Sequence, residues 1–279
     1  QSLEIPSYSG LSKEQCPPGQ KFDINLISNC ILSSSNGRQI LSIGDSQTAH
    51  LKPLLNKLHN DKGYGIYFHS SNGINFPSVI ETRSDKNRTA DQFREIYKNA
   101  SDFFNYYLSQ LKKGDIIILS SRYELRWGNH PIPNKQRDLK FTYYDSNNKI
   151  LGKDESYKRW KTLFDNIAEK SLSKGIKVIV FNSIPTFPDA VIENKEWFNS
   201  LNNANFGLKR DFYINHSRLV DSAFYSLENK YSNVEVFDVF SELCPESQNF
   251  CTSQKYRDQW HLSSKGALSL YEGLLKKLN

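Results

Sequence analysis

Two short polar motifs near opposite ends of the chain carry side chains suited to acyl-transfer chemistry. Residues 44–46 read Gly-Asp-Ser after an apolar run, and residues 258–261 read Asp-Gln-Trp-His before the last helical pattern. A serine on a strand-to-helix turn exposes its hydroxyl at the sheet edge, where a helix N-terminus stabilises negative charge. A histidine three residues after an aspartate supplies a base and the group that orients it. Ser46, His261 and Asp258 therefore predict a serine nucleophile with its general base.

Ser46 and His261 each have a purely structural alternative. An Asp-Ser pair before a helix is typical of N-capping, so Ser46 could simply cap the first helix. His261 could be a helix N-terminal residue that packs on Trp260. The order of the two motifs, at the two ends of an α/β pattern, favours the catalytic interpretation. His50 lies one turn after Ser46, and we expect it to line the site; the alternative is a buried histidine with its hydrogen bonds satisfied.

An alternation of strands and helices is predicted to position these side chains. Apolar runs predict five strands, at 38–43, 65–69, 116–119, 177–181 and 234–237. Helical periodicity predicts five helices, at 47–59, 91–111, 155–173, 210–230 and 263–278. Pro53 falls inside the first of them and should kink it or delay its regular start. This order predicts a parallel sheet covered on both faces, with the active site beyond the carboxyl ends of the strands.

The chain divides into an extension and one large domain. Residues 1–36 contain prolines, a serine cluster and the first two cysteines, and they predict an irregular extension or linker. Residues 37–279 form the predicted catalytic domain, with two excursions near 122–154 and 184–210.

Composition excludes some classes of function. The 279 residues carry 36 Lys and Arg against 30 Asp and Glu, a formal charge of +6, with no run of five like charges. Nucleic-acid binding is therefore not favoured, whereas an anionic polysaccharide or a membrane surface fits the mild positive bias. The chain begins at Gln1 and contains no Met, so we expect a fragment or processed product whose signal or membrane segment lies outside it.

The four cysteines form two local pairs, one near each end. Their spacings do not match a zinc site, and no metal is expected. Two small disulfide loops are the preferred interpretation, Cys16–Cys30 and Cys244–Cys251, and four free buried thiols are the alternative. Disulfides indicate an oxidising compartment such as the periplasm or the cell exterior.

The two motifs resemble the first and last blocks of the SGNH hydrolases, also called GDSL esterases. Residues 44–50 (Gly-Asp-Ser-Gln-Thr-Ala-His) and 258–267 (Asp-Gln-Trp-His-Leu-Ser-Ser-Lys-Gly-Ala), with a cysteine pair just upstream of the second, look most like one branch. That branch is the SGNH domain fused to bacterial acyltransferase-family-three membrane proteins, which O-acetylate surface polysaccharides such as lipopolysaccharide O-antigen. The resemblance covers residues 38–279 in architecture but only the end blocks in motif. It implies a three-layer, flavodoxin-like α/β/α sandwich with a five-stranded parallel sheet.

The resemblance also implies roles for the residues. Ser46 would be the nucleophile, His261 the general base and Asp258 the group that fixes its tautomer. The oxyanion hole would use the Ser46 N–H and the N–H of a glycine after the second strand. Gly73 is the candidate for that glycine, although an ordinary Asn-Gly turn explains it equally well.

The third oxyanion donor of the family is an asparagine after the third strand, and it is missing here. Residues 120–123 read Ser-Ser-Arg-Tyr, so Arg122 stands near its place. An arginine there could stabilise the oxyanion, bind an anionic group of the substrate, or pair with Glu124 or Asp258. Asn72 and Asn75 are weaker substitutes.

These expectations combine into one predicted function with two alternatives. The chain would be the soluble half of an O-acetyltransferase at the periplasmic face of the inner membrane, with a polysaccharide as acceptor. It would hold no cofactor, because a membrane-embedded acyltransferase domain, expected in the same polypeptide, would hand over acetyl drawn from acetyl-CoA. A secreted carbohydrate esterase would use the same triad with water as acceptor. A carbohydrate-binding module on a degenerate fold is the third possibility.

Overall fold

The computed structural model describes residues 10–12, 16–17, 19, 21–23, 30–71, 73–129, 132, 136, 138–188 and 208–278. Its strands are β1 (Ile31–Leu32), β2 (Gln39–Gly44), β3 (Gly65–Ser70), β4 (Ile80–Arg83), β5 (Ile116–Ser120), β6 (Phe141–Tyr144), β7 (Ile150–Leu151), β8 (Lys177–Phe181), β9 (Leu208–Lys209), β10 (Val234–Phe237) and β11 (Phe250–Cys251). Its helices are α1 (Ser46–Ala49), α2 (Lys52–Lys62), α3 (Ala90–Gln110), α4 (Glu124–Trp127), α5 (Lys153–Ser173), α6 (Arg210–Lys230), α7 (Val239–Leu243), α8 (Ser264–Leu268) and α9 (Tyr271–Leu278).

The central sheet contains the five predicted parallel strands. Its strand order is β1-β3-β2-β5-β8-β10. All residues of β5 are buried, as expected for a strand covered on both faces by the flanking helices. The fold is thus the predicted α/β sandwich. A sixth strand, β1, adds antiparallel to the edge strand β3. It is too short to give a periodic signal, and it lies within the part of the chain predicted to be irregular.

Strand register aligns the carboxyl ends of the strands that precede the predicted active site. We call this edge of the sheet the catalytic edge. Gly44, the last residue of β2, pairs with Ser70 at the end of β3 and with Ser120 at the end of β5. The carboxyl ends of three adjacent strands are therefore level. The turns that follow them all emerge at one edge of the sheet.

Two predicted helices are each divided in two. The first is interrupted after α1, and α2 begins again with Pro53 in its first turn, where the missing N–H costs nothing. The predicted delay by Pro53 is therefore observed. The last predicted helix, 263–278, is wrong as a single element: it consists of α8 and α9, with Ser269 as the C-cap of α8. The apolar periodicity continues across this break and conceals it.

The two excursions behave differently. The first contributes α4 and the strands β6 and β7, which pair with β4 into a small antiparallel sheet, order β4-β6-β7. β4 comes from the segment after β3, so this small sheet joins two parts of the chain that the sequence analysis treated separately. Of the second excursion, 189–207 lie outside the described residues. At its end, β9 pairs with β11.

Both predicted disulfides are present and confirmed. Cys16 bonds to Cys30, and Cys244 bonds to Cys251. All four cysteines are buried in the core. Within the described part of the chain, no helix combines the length and the apolar character needed to cross a membrane.

Candidate active site

The structure brings the three residues of the predicted triad into one hydrogen-bonded chain. His261 Nε2 lies 2.9 Å from Ser46 Oγ, and His261 Nδ1 lies 2.8 Å from Asp258 Oδ2. The helix cap is a different residue: Asp45 is the N-cap of α1, and its carboxylate accepts the N–H of Gln47 at 2.8 Å. The Ser46 hydroxyl is therefore engaged with the imidazole and not with the helix terminus.

Asp258 is held so that it fixes the imidazole. Its Oδ1 accepts the backbone N–H groups of Trp260 at 3.0 Å and His261 at 2.8 Å. Half-burial raises the pKa of Asp258, but hydrogen bonds from the His261 ring and these two N–H groups outweigh it and lower the pKa to about 2. The carboxylate is thus ionised at neutral pH and accepts from Nδ1–H. That tautomer leaves Nε2 as the acceptor for the Ser46 hydroxyl proton.

A close approach of two strands places the serine turn. A Cβ on Gly44 would lie 1.8 Å from the carbonyl oxygen of Ser120, so only glycine fits at this position. The Ser121 hydroxyl then accepts two backbone N–H groups, from Asp45 at 3.1 Å and from Phe76 at 3.2 Å. This one oxygen joins the turn after β2 to the loop after β3. The loop at 74–77 therefore lies beside the nucleophile.

His50 is buried and has its hydrogen bond. Its Nδ1 accepts the backbone N–H of Leu262 at 3.2 Å, and its ring is 6.3 Å from the His261 ring, edge to face. Burial, and then the neighbouring His261, lower the pKa of His50 well below its usual value, so the ring stays neutral. This geometry matches the buried, satisfied histidine of the sequence analysis. It also holds the backbone directly after His261.

Arg122 contacts the residue before Ser46 and the residue before His261. Its backbone N–H donates to Asp45 Oδ2 at 3.0 Å, and its guanidinium lies 5.2 Å from the centre of the Trp260 ring. Its Nε donates to Glu124 Oε1 at 3.2 Å, and its Nη1 donates to the side chain of Gln136. The pairing with Glu124 is one of the alternatives that the sequence left open.

Glu124 and Asp45 are buried carboxyl groups to which the sequence analysis gave no role in the reaction. Burial raises the pKa of Glu124 to about 7, although Arg122 pulls it down. Burial likewise raises the pKa of Asp45, against the N–H groups of Arg122 and Gln47. Glu124 Oε2 is buried and has no hydrogen-bond partner among the residues the structure describes. We call Arg122 and Glu124 the open pair.

A second buried pair lies close by and is fully satisfied. Arg126 Nε is 3.1 Å from both oxygens of Glu81, and Arg126 Nη2 donates to Glu81 and to the carbonyl oxygen of Gly73. Each of the two side chains is 2 % exposed. We call Arg126 and Glu81 the closed pair. No local sequence pattern predicts the closed pair, because its members are 45 residues apart.

The loop after β3 holds the remaining oxyanion candidates. Gly73 has a φ of +68°, in the region that favours glycine, and its carbonyl is held by Arg126. Asn72 lies outside the described residues. Asn75 is only 1 % exposed, and neither atom of its amide makes a hydrogen bond within the described part of the chain. A buried amide without a partner is costly, so it calls for an explanation.

A cavity of about 520 Å³ lies beside the open pair, between α4 and the small sheet. Arg122, Glu124, Phe141 and Tyr143 contribute to its wall. Its volume falls in the range of small-molecule binding sites.

No group of three His, Cys, Asp or Glu residues in the described ranges is arranged to hold a metal ion.

Comparisons with known proteins identify the family of the chain and related folds. The model of a family described as SGNH domain (fused to AT3 domains) matches residues 15–275. No curated protein matches the chain. Among solved structures, the periplasmic domain of a lipopolysaccharide acetyltransferase from Salmonella ser. Paratyphi A is 17% identical, with a TM-score of 0.57 over 92% of this chain and 90% of that one. A catalytic mutant of an acetylxylan esterase from Geobacillus stearothermophilus is 11% identical, with a TM-score of 0.46 over 89% and 96%. At these identities the first likeness shows a shared fold.

Proposed function

Because this chain belongs to the family of SGNH domains fused to AT3 domains, we propose that it is an O-acetyltransferase domain at the periplasmic face of the bacterial inner membrane. Its acceptor is a hydroxyl of a surface polysaccharide, with lipopolysaccharide O-antigen as the first candidate. The observation that carries the proposal is the hydrogen-bonded chain from Ser46 through His261 to Asp258.

In the first half-reaction the serine takes the acetyl group. Ser46 Oγ attacks the acetyl carbonyl carbon while its proton passes to His261 Nε2. Asp258, ionised and bonded to Nδ1, stabilises the imidazolium that forms. The tetrahedral intermediate then collapses, the leaving group takes the proton from Nε2, and acetyl-Ser46 remains.

In the second half-reaction the acetyl group passes to the acceptor. A sugar hydroxyl gives its proton to His261 Nε2 and attacks the carbonyl carbon of acetyl-Ser46. The Ser46 oxygen leaves and recovers the proton from Nε2. The enzyme is thereby returned to its starting state, and the sugar carries a new ester.

We assign the oxyanion to the N–H of Ser46 and the amide of Asn75. Asn75 directly precedes Phe76, whose N–H shares the Ser121 hydroxyl with the N–H of Asp45. Its amide makes no hydrogen bond to any described residue, and we propose its Nδ2 as the second donor to the oxyanion. The Arg122 guanidinium already donates to Glu124 and Gln136, which makes it a weaker candidate than Asn75.

Membership of the family supports a proposal for the acetyl donor. SGNH domains of this family are fused to AT3 domains, so a membrane-embedded acyltransferase domain is the proposed partner. That partner passes acetyl from acetyl-CoA to this domain, which needs no cofactor of its own for the two half-reactions.

The test separates transfer from hydrolysis. The chain is incubated with p-nitrophenyl acetate, and peptide mass spectrometry locates the acetyl group, with Ser46→Ala as the control. We expect acetyl-Ser46, and then acetylated polysaccharide once an O-antigen preparation is added. Acetyl that passes only to water would identify a carbohydrate esterase. A folded chain that never acquires acetyl on Ser46 would identify a carbohydrate-binding module.

A further inference from the structure

The nucleophile and the general base come from distant parts of the chain, and a second hydrogen bond joins the two segments that carry them. Ser46 and His261 are 215 residues apart, and their side chains meet at 2.9 Å. His50, the C-cap of α1, donates its backbone N–H to the carbonyl oxygen of Ser46 at 3.2 Å. The ring of His50 accepts the N–H of Leu262. His50 therefore contacts both the turn of the nucleophile and the residue that follows the base.

The local backbone directs the N–H of Leu262 toward His50. Leu262 and Tyr256 face each other in a single antiparallel bridge, in which Arg257 and Ser263 supply the bonded N–H groups. In such a pair the N–H groups of the two facing residues point away from each other. Leu262 is 2% exposed, so without the imidazole its N–H would be buried and would lack this acceptor.

The imidazole of His50 can accept this N–H because it stays neutral. A ring nitrogen accepts a hydrogen bond only while it carries no proton. Burial, and then the charges of His261 and Arg257, lower the pKa of His50 well below its usual value, and Asp258 opposes them only in part. The acceptor is therefore kept while His261 holds the proton taken from Ser46, and no second positive charge faces the imidazolium.

We propose that His50 is a positioning residue for the general base: the bond from Leu262 N–H to His50 Nδ1 holds His261 Nε2 within hydrogen-bond distance of Ser46 Oγ. Proton transfer requires this distance, and a displacement of about 1 Å can cost about 10²-fold in rate. The proposal rests on acetyl transfer at Ser46 and adds to it a residue that acts through the base.

Two substitutions of similar size separate the acceptor from the rest of the side chain. His50→Asn places an amide oxygen at the position of Nδ1, whereas His50→Leu has no acceptor. His59→Leu is the matched control, because His59 Nδ1 also bonds to a backbone group, the carbonyl of Tyr64 at 2.8 Å. Tyr64 directly precedes β3, at the opposite end of the sheet from Ser46. Release of p-nitrophenol from p-nitrophenyl acetate gives kcat and KM, and unfolding in urea gives the stability of each chain.

A second measurement reads the position of the base without using activity. His261 Nε2 accepts the Ser46 hydroxyl, so its ¹⁵N resonance on the neutral ring responds to that bond. In a chain labelled with ¹⁵N-histidine, this resonance is compared with and without Ser46→Ala. The difference between the two spectra reports the bond, and it is measured in the parent, His50→Asn, His50→Leu and His59→Leu chains.

We expect His50→Leu to lower kcat about tenfold or more, to leave KM nearly unchanged and to remove the ¹⁵N difference. His50→Asn should keep most of kcat and the ¹⁵N difference, and His59→Leu should keep both in full. An unchanged kcat in the His50→Leu chain, or equal losses in His50→Leu and His50→Asn, would overturn the proposal, whatever the stability of these chains. If the parent chain never forms acetyl-Ser46, the proposed function fails, and the ¹⁵N difference alone decides whether His50 holds the base.

Discussion

Two buried arginine–glutamate pairs lie close together but differ in how completely they are satisfied. In the closed pair, both oxygens of Glu81 accept from Arg126, and the arginine also holds the carbonyl of Gly73. In the open pair, Arg122 donates to one oxygen of Glu124, and the other oxygen has no partner in the described part of the chain. The closed pair joins β4 to α4, whereas the open pair borders the triad and the cavity.

The difference indicates different uses for similar residues. Burying an ion pair adds little net stability, and a polar atom left without a partner costs about 1–3 kcal/mol. The closed pair avoids that cost and is suited to hold the loop after β3 in place. The open pair leaves one buried acceptor without a partner among the described residues, and its arginine bonds to Asp45 beside the nucleophile. Variants of the two pairs should therefore separate stability from activity.

The largest loss of acetyl-transfer rate should come from replacing the nucleophile, and the losses in the other variants are compared with it. We expect Ser46→Ala to lower acetyl transfer about 10³-fold or more, because the acyl-enzyme can no longer form. The rate is measured with p-nitrophenyl acetate and by transfer to polysaccharide. The melting temperature should match that of the parent chain, and undiminished transfer would reject the mechanism.

The next effect should fall on the closed pair and appear as lost stability. Arg126→Ala leaves the Glu81 carboxylate buried without its partner, and we expect a loss of about 3–5 kcal/mol in the free energy of unfolding, measured in urea. The double variant Arg126→Met/Glu81→Leu is the control and should recover most of that loss. Turnover of the folded fraction should fall far less than it does in Ser46→Ala. If Arg126→Ala is slow but fully stable, the closed pair serves activity and not stability, and the contrast with the open pair is wrong.

Asn75→Ala tests whether an unsatisfied amide at the catalytic edge serves the reaction. We expect a fall of about 10²-fold in kcat, the usual cost of one oxyanion donor, with little change in melting temperature. Asn182→Ala is the matched control, because that buried amide bonds to Asp238 and to the N–H of Phe240. It should lower stability and leave the rate unchanged. If Asn75→Ala behaves as Asn182→Ala does, Asn75 is structural.

The Cys244–Cys251 disulfide should stabilise the fold through a covalent bond, as the closed pair does through hydrogen bonds. Its chain separation is 7 residues, and replacing both cysteines by serine should cost about 2–3 kcal/mol of unfolding free energy. The same replacement at Cys16 and Cys30 is the control for a disulfide farther from Asp258 in the chain. Both should retain transfer activity below their melting temperatures. Reactive thiols in the denatured, unreduced chain would contradict both disulfides.

The last effect is a slope with pH, and it reports directly on the open pair. The folded pKa of Glu124 is about 7 and its ordinary value is 4.5, so the native chain holds this proton more tightly than the unfolded chain does. Its contribution to stability is fully present below pH 4.5 and is lost as the pH rises through 7. Relative to Glu124→Gln, the parent chain should lose at most about 1.4 kcal/mol per pH unit in this window. Unfolding in urea across the window measures the difference, and a flat difference would mean that Glu124 is ionised throughout.

The local sequence determined the parallel strands, the helices between them and the two catalytic motifs. Each of these features depends on neighbours in the chain: apolar runs predict buried strands, and a spacing of three residues lets His261 bond to Asp258. The break near Pro53 was also predictable, because proline acts on its own turn. The break between α8 and α9 was not, since the apolar pattern continues through it.

Only the tertiary structure decided which polar groups are satisfied. Glu81 and Arg126 are 45 residues apart, and Ser121 joins the backbones of Asp45 and Phe76 only because the ends of their strands are level. The same packing buries Asn75 and one oxygen of Glu124 without partners among the described residues. The physical reason is that the free energy of a buried polar group depends on which atoms surround it in space. Chain segments distant in sequence supply those atoms, so no local pattern records them.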